Sequence, residues 1–230
     1  MFIPRRFNGP LHSGNGGYCC GAIARLVGED AEVNLRSPVP LDRKLDVTRD
    51  PDGAVRVTDG ETHIADGHPA AGIDSATPEP VGREEARRAA QGYEGLSEGE
   101  FSRCFVCGRA REDALGVFAG PVAGRDVVAS PWAAPDWAAD QDGNVSQEIV
   151  WSVLDCPTYF ALYIDRPKEP SVLARMSARI LAPVKAGEVH VVIAWPVETD
   201  GRKQHAGSAV LSADGEPLAV ARALLIAPRQ

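Results

Sequence analysis

The segment Asn144–Ile164 constrains the fold more than any other part of the chain, because it is apolar on nearly every side of a predicted helix. A helix with so little polar surface must be buried, so the rest of the chain has to supply a surface that surrounds it. Asn144 followed by Gln147 predicts a capping box at the start of this helix. Pro157 predicts a kink within it.

Four long segments of strand-forming residues follow this helix, separated by short turn sequences. They are Val172–Leu181, Val189–Glu198, Lys203–Ser212 and Leu218–Ile226. The Asp-Gly pairs at 200–201 and 214–215 are typical of tight hairpins. We therefore predict an antiparallel sheet, which is the surface that wraps the apolar helix.

The start of the chain has the same order of elements in a smaller form. His12–Leu26 predicts a glycine turn that leads into a helix, with Asn15 as its cap and Gly28 as its end. Strands are then predicted at Ala31–Pro40, Lys44–Thr48, Ala54–Thr58 and Thr62–Ala65.

The two ends of the chain therefore look like an internal repeat of a helix followed by antiparallel strands. We match Gly14-Asn15 at the first helix to Gly143-Asn144 at the second. This predicts an α+β protein with an N-terminal unit at 1–73 and a C-terminal unit at 104–230. The two sheets are expected either to pack face to face or to join edge to edge, which would remove exposed edges.

The segment 74–103 is rich in proline, glycine and charged residues, and we predict that it links the two units. Arg83–Ala90 within it predicts one short charged helix. Further strands are predicted at Gly116–Val122 and Asp126–Pro131, at the start of the C-terminal unit.

Charge and cysteine content limit the classes of partner. The net charge is −8, which argues against a nucleic-acid backbone as the main partner. No apolar run is long enough for a membrane span, and no export signal is evident at the N-terminus. We therefore predict a cytoplasmic protein whose five cysteines are reduced thiols.

The glycine turn before the first helix is a candidate site for an oxyanion or a polarised carbonyl. Gly16 and Gly17 leave their backbone N–H groups open to close approach, at the positive end of the helix dipole. The alternative is an ordinary helix start whose glycines only permit close packing. The pattern by itself does not separate these two interpretations.

Cys104-Phe-Val-Cys107-Gly108 has the spacing of half a zinc site or of a redox pair. A four-ligand site needs two more ligands. Cys19, Cys20 and Cys156 lie in predicted helices, and no histidine has the usual spacing. We therefore predict no metal site here, only a turn that carries two thiols.

Several of these motifs, in this order, resemble a hotdog-fold acyl-CoA thioesterase with two hotdog units in one chain, of the phenylacetate-pathway type. Asn15-Gly16-Gly17 resembles the His-Gly-Gly of that branch, and Cys104–Gly108 resembles the lead-in to its first strand. Trp151–Asp155 is similar to its central helix. Arg179–Val184 and the strands that follow are similar to the rest of its unit.

The resemblance implies a thioester hydrolase whose single site lies between the two units. Gly16 and Gly17 would polarise the thioester carbonyl, and Asp155 would activate water or attack the carbonyl, with Glu148 as the second choice. It implies no cofactor, because coenzyme A is part of the substrate. The substrate would be an acyl-CoA or an acyl-carrier thioester.

Asn15, His12 and Tyr18 are further candidates for contact with the substrate. Asn15 stands where the family has a histidine, and it would either bond the thioester oxygen or only cap the helix. His12 would contact substrate or remain in a solvated loop. A structural alternative also exists for Asp155, which could bond backbone groups that Pro157 leaves free.

The missing histidine and the unequal halves motivate a second function class, a non-catalytic hotdog protein that binds acyl groups. The glycine pair occurs only in the first half, and the acid only in the second. Hotdog units normally pair, so one chain would supply the minimal pair. A larger homo-oligomer is the other arrangement that the resemblance allows.

Overall fold

The structure is a computed structural model that describes residues 1–28, 30–95, 99 and 101–227. Parts of the predicted linker (residues 96–98 and 100) and of the predicted C-terminal unit (residues 228–230) lie outside the described residues. No helix among the described residues is both long enough and apolar enough to span a membrane.

Among the described residues, three α-helices and ten β-strands make up the regular structure. The helices are α1 (Gly16–Val27), α2 (Arg83–Gln91) and α3 (Gln147–Ala161). The strands are β1 (Ala31–Leu35), β2 (Asp46–Arg49), β3 (Val55–Asp59), β4 (Thr62–Pro69), β5 (Gly120–Pro121), β6 (Val128–Ala133), β7 (Val172–Ile180), β8 (Val189–Asp200), β9 (Lys203–Leu211) and β10 (Pro217–Ile226). Short 3₁₀ turns occur at Arg5–Phe7 and Asp136–Ala138.

All ten strands form one antiparallel sheet in the order β2-β3-β4-β1-β7-β10-β9-β8-β6-β5. The first four strands come from the N-terminal part of the chain and the other six from the C-terminal part. They meet where β1 pairs with β7, with Val33 opposite Met176. Of the two predicted arrangements, the structure has the edge-to-edge one, and the face-to-face packing of two sheets is wrong.

The two long helices lie side by side on one face of this sheet and pack directly against each other. α3 is buried along almost its whole length, as its apolar sequence predicts. α1 packs on β1 and β4, and α3 packs on β8, β9 and β10. The predicted α+β architecture, a long helix wrapped by a curved antiparallel sheet in each half, is confirmed.

The predicted charged helix in the linker exists as α2, and it packs on the opposite face of the sheet. Ala86 and Ala89 of α2 form a buried cluster with Val191 and Ile193 of β8, whereas Val192 between them belongs to the cluster under α3. This alternation places the two clusters on opposite faces of the strand. The segment 81–91 is therefore a covering layer of the C-terminal half.

Some predicted boundaries are wrong. The strand predicted over Gly116–Val122 is reduced to the two residues of β5. α3 begins at Gln147 with Ser146 as its cap, and no side chain forms the predicted capping box. Asn144 pairs instead with Lys185 in an isolated bridge.

The start of each long helix is held by a matching backbone bond. Gly14 N donates to Val39 O (2.9 Å), and Val145 N donates to Val184 O (2.7 Å). These bonds align the caps Asn15 and Ser146 with each other. The sequence match of Gly14-Asn15 to Gly143-Asn144 is therefore two residues out of register.

Candidate active site

The central contact of the candidate site joins the two halves of the chain. The backbone N–H of Gly17, in the first turn of α1, donates to Oδ2 of Asp155 in α3 at 2.8 Å. Asp155 is buried, with 8% of its surface exposed. The carboxylate thus faces the N-terminus of α1, where unpaired N–H groups and the helix dipole favour negative charge.

Gly17 makes this contact possible because it has no side chain. A Cβ at this position would lie 2.5 Å from Trp151 O and 2.6 Å from Asp155 Cβ, closer than real Cβ atoms come to such atoms. Gly21, one turn later, faces α3 in the same way, with Glu148 Cα at 2.8 Å. Both interpretations of the glycine turn therefore hold for Gly17, because it permits close packing of α1 on α3 and also presents its backbone N–H to Asp155.

Asn15 is confirmed as the cap of α1. Its Oδ1 accepts a hydrogen bond from the backbone N–H of Tyr18 at 2.9 Å. Its Nδ2 points the other way, to the sulfur atoms of Cys156 at 3.6 Å and Cys104 at 3.8 Å. Both ends of this buried amide are therefore engaged by the protein.

The surroundings of Asp155 favour its protonated form more than water does. Burial raises the pKa of Asp155 to about 7, although the hydrogen bond from Gly17 lowers it. The alternative role predicted for this carboxylate, bonding groups that Pro157 leaves free, is not what the structure shows. Its hydrogen-bond partner is the amide of the facing helix.

Gly16 is the exposed edge of the site. It is half-buried, and within the described ranges its N–H has no hydrogen-bond partner. A Cβ here would lie 2.9 Å from Cδ2 of Leu173 and 3.1 Å from Oδ2 of Asp155. Leu173 and the Asp155 carboxylate therefore fill the space beside the Gly16 Cα.

Glu148 does not join this group. Its carboxylate forms an ion pair with Arg25 of α1, in which the Glu148 side chain is 11% exposed and that of Arg25 is 58% exposed. Counting from the aligned caps, Glu148 occupies in α3 the place that Gly17 has in α1, and Ala24 stands opposite Asp155. The place in the structure that corresponds to the Gly17–Asp155 contact is thus occupied by the ion pair between Glu148 and Arg25.

The other two predicted substrate contacts lie at different depths. His12 is exposed in the loop that precedes α1. The ring of Tyr18 stacks on Phe7 with centroids 3.9 Å apart and meets Phe105 edge-on. Burial raises the pKa of Tyr18 to about 12, so its hydroxyl stays protonated.

A cluster of cysteines behind Asn15 was missed by the sequence reasoning. The sulfur atoms of Cys104, Cys107 and Cys156 all lie within 4.8 Å of one another. The spacing of Cys104 and Cys107 was visible in the sequence. Nothing in the sequence pattern brings Cys156, in the middle of α3, to the same place.

Two surface clefts lie away from this group. One, of about 330 Å³, lies between Arg125, Trp195 and the segment 78–79. The other, of about 310 Å³, lies beside Val145, Val150 and the segment 180–184. Neither cleft is lined by Asp155, Gly16 or Gly17.

No family profile matches the sequence, and no curated protein matches it. Solved structures do match. A proposed thioesterase of Novosphingobium aromaticivorans is 12% identical with a TM-score of 0.61, covering 100% of this chain and 94% of that one. A hotdog-fold protein of unknown function from Alicyclobacillus acidocaldarius is 9% identical with a TM-score of 0.59, covering 99% and 92%.

The TesB protein of Mycobacterium avium subspecies paratuberculosis is 11% identical with a TM-score of 0.58, covering 100% of this chain and 91% of that one. A thioesterase superfamily protein matches in part, at 19% identity and a TM-score of 0.50, covering 56% of this chain and 63% of that one. At these identities the likeness shows the fold. The chain has the hotdog fold, and the full-length matches extend over both halves.

Proposed function

We propose that this protein hydrolyses acyl thioesters at a single site formed by α1 of the first half and α3 of the second. The observation that carries the proposal is the 2.8 Å contact between the Gly17 amide and the Asp155 carboxylate. The N-terminus of α1 and the carboxylate of Asp155 therefore lie side by side. The helix N-terminus can stabilise the oxyanion that forms from the thioester carbonyl, and the carboxylate can act as the general base toward water. The neighbours described as a thioesterase superfamily protein and as a proposed thioesterase support the same reaction class.

In the proposed reaction, the carbonyl oxygen of the thioester accepts hydrogen bonds at the start of α1. The Gly16 N–H there has no partner among the described residues, and the Gly17 N–H becomes available when the carboxylate turns to water. Asp155 takes a proton from water as the water oxygen attacks the carbonyl carbon. The carbon–sulfur bond then breaks, and the leaving thiolate takes the proton back from Asp155.

The exposed edge at Gly16 determines which part of the substrate enters. In the proposed complex the thioester group lies beside Gly16, and the Leu173 side chain, which now packs against Gly16, turns aside to admit it. Leu173 itself offers an apolar contact to the acyl chain or to the pantetheine arm. The arm is common to coenzyme A and acyl carrier proteins, so this edge accepts either donor.

Incubation with a panel of acyl-CoA thioesters of different chain lengths tests the proposal. Release of free coenzyme A should be followed by mass spectrometry, because the five cysteines of the protein would react with a thiol reagent. We expect hydrolysis of at least one member of the panel. A folded protein that hydrolyses no acyl-CoA and no acyl-carrier thioester would refute the proposal.

A second candidate function is binding of acyl groups without catalysis. Two observations favour it: the Gly17 amide is already bonded to Asp155, and the two clefts described above lie elsewhere. Calorimetric titration with a nonhydrolysable acyl-CoA thioether, beside the turnover assay, separates the two candidates. Tight binding without turnover supports the second, whereas turnover excludes it.

A further inference from the structure

The cysteine cluster joins two separate parts of the chain. Cys104 and Cys107 lie in the loop before β5, and Cys156 lies in α3. The Sγ atoms of Cys104 and Cys156 are 3.7 Å apart, and none of the three is exposed. The sulfur atoms come together from two elements that are far apart in sequence.

The loop that carries the first two cysteines is shaped around their side chains. Gly108 N donates to Cys104 O at 2.9 Å, and a Cβ at Gly108 would lie 2.5 Å from Cys104 N. Only glycine therefore fits this turn. The backbone N–H of Val106 points at Cys104 Sγ at 3.5 Å, and such an amide stabilises a sulfur atom that carries negative charge.

A second donor reaches the cluster from the other half of the chain. Nδ2 of Asn15, which is 2% exposed, lies within 3.8 Å of both Cys104 and Cys156 sulfurs. Its orientation is fixed because Oδ1 accepts from Tyr18. Two of the three sulfur atoms thus receive an N–H group from a rigid donor, as the ligands of a metal site do.

We propose that Cys104, Cys107 and Cys156 bind a zinc ion through their sulfur atoms. With Zn–S bonds of about 2.3 Å, two sulfurs of a tetrahedral site lie about 3.8 Å apart, close to the 3.7 Å between Cys104 and Cys156. The Cys107 sulfur lies at most 4.8 Å from the other two sulfur atoms, and a small rotation of its side chain brings it to the same spacing. Thiolates prefer zinc among the common cellular dications.

Binding converts three thiols to thiolates and releases their three protons to solvent. Three protein ligands leave the fourth position of the tetrahedron for a water molecule. The ion would tie the 104–108 loop to α3 directly and to the cap of α1 through Asn15. This proposal depends on the thiols alone, so it can fail while the thioesterase proposal holds, and the reverse.

The first test is metal content and coordination of the whole, reduced protein. After loading with zinc and desalting, we expect about one zinc per chain, with an X-ray absorption spectrum that shows three sulfur neighbours at about 2.3 Å. Cobalt in place of zinc should give an intense thiolate charge-transfer band. Absence of bound zinc, or a zinc shell without sulfur, would overturn the proposal.

Variants identify the ligands. Cys107→Ser should lower zinc content to well under half, whereas Cys20→Ser, a buried cysteine outside the cluster, should keep it unchanged. If Cys107→Ser does not fold, the cobalt spectrum of the unaltered protein decides. A disulfide between Cys104 and Cys156, seen as a loss of two daltons in protein purified anaerobically with reductant, would also overturn the proposal.

Discussion

Replacing Gly17 with alanine tests how closely the two central helices pack. The new methyl group would meet Trp151 O at 2.5 Å and Asp155 Cβ at 2.6 Å. The first of these is a backbone atom of α3, so no side-chain rotation relieves the contact. α1 and α3 would have to move apart by several tenths of an ångström, which also lengthens the hydrogen bond to Asp155.

The expected cost follows from two opposing effects. Overpacking of a rigid core costs about 3 kcal/mol at the upper end of its usual range. Alanine is the better helix former and recovers up to about 1 kcal/mol. The net loss of stability of Gly17→Ala should therefore be about 2 kcal/mol, or a fall in Tm of about 4–8 °C for a chain of this size.

Urea unfolding followed by circular dichroism measures this loss, with Gly82→Ala as the matched control. Gly82 caps α2 with a φ of −70°, and a Cβ there meets nothing within 4 Å. The control should lose less than about 1 kcal/mol. If Gly17→Ala is as stable as the control, the close packing of α1 on α3 and the site built on it are both wrong.

Two further predictions concern the ion pairs. Arg25→Ala should lower the free energy of unfolding, measured in urea, by about 1–3 kcal/mol, because it leaves the more buried carboxylate of Glu148 unpaired. Glu148→Gln should cost less, and an equal or reversed order would contradict this. Burial would raise the pKa of Asp66, but hydrogen bonds from Arg36 and His63 hold this pKa below the ordinary value of 3.8. The ionised carboxylate of Asp66 therefore stabilises the fold above pH 3.8, and this stabilisation is lost on acidification. The stability advantage over Asp66→Asn should shrink as the pH falls from 3.8 toward the lowered pKa of Asp66, and an advantage that grows over this range would refute the assignment.

The parts of the fold that sequence predicts well are those fixed by local pattern. The hairpins around 200–201 and 214–215 have Asp-Gly turns, and β8, β9 and β10 follow the predicted segments within one or two residues. The apolar character of α3 requires burial wherever the helix is placed. The family resemblance also implies that Gly17 and Asp155 lie close together, and their 2.8 Å hydrogen bond agrees with this.

The rest depends on contacts between distant residues, which no local pattern encodes. Glu148 and Arg25 are 123 positions apart, and only the packing of α1 on α3 shows that they pair. Cys156 joins Cys104 for the same reason. The edge pairing of β1 with β7 was one of two options, because alternation of side chains identifies a strand but not its neighbour.

The most direct test of the proposed function is the turnover of the best acyl-CoA substrate by Asp155→Asn beside Glu148→Gln. Asparagine keeps an oxygen for the Gly17 amide but cannot take a proton from water, so the fold should persist. We expect kcat/KM to fall by about 100-fold or more in Asp155→Asn and to change by less than about threefold in Glu148→Gln. Unchanged turnover in Asp155→Asn would contradict the account.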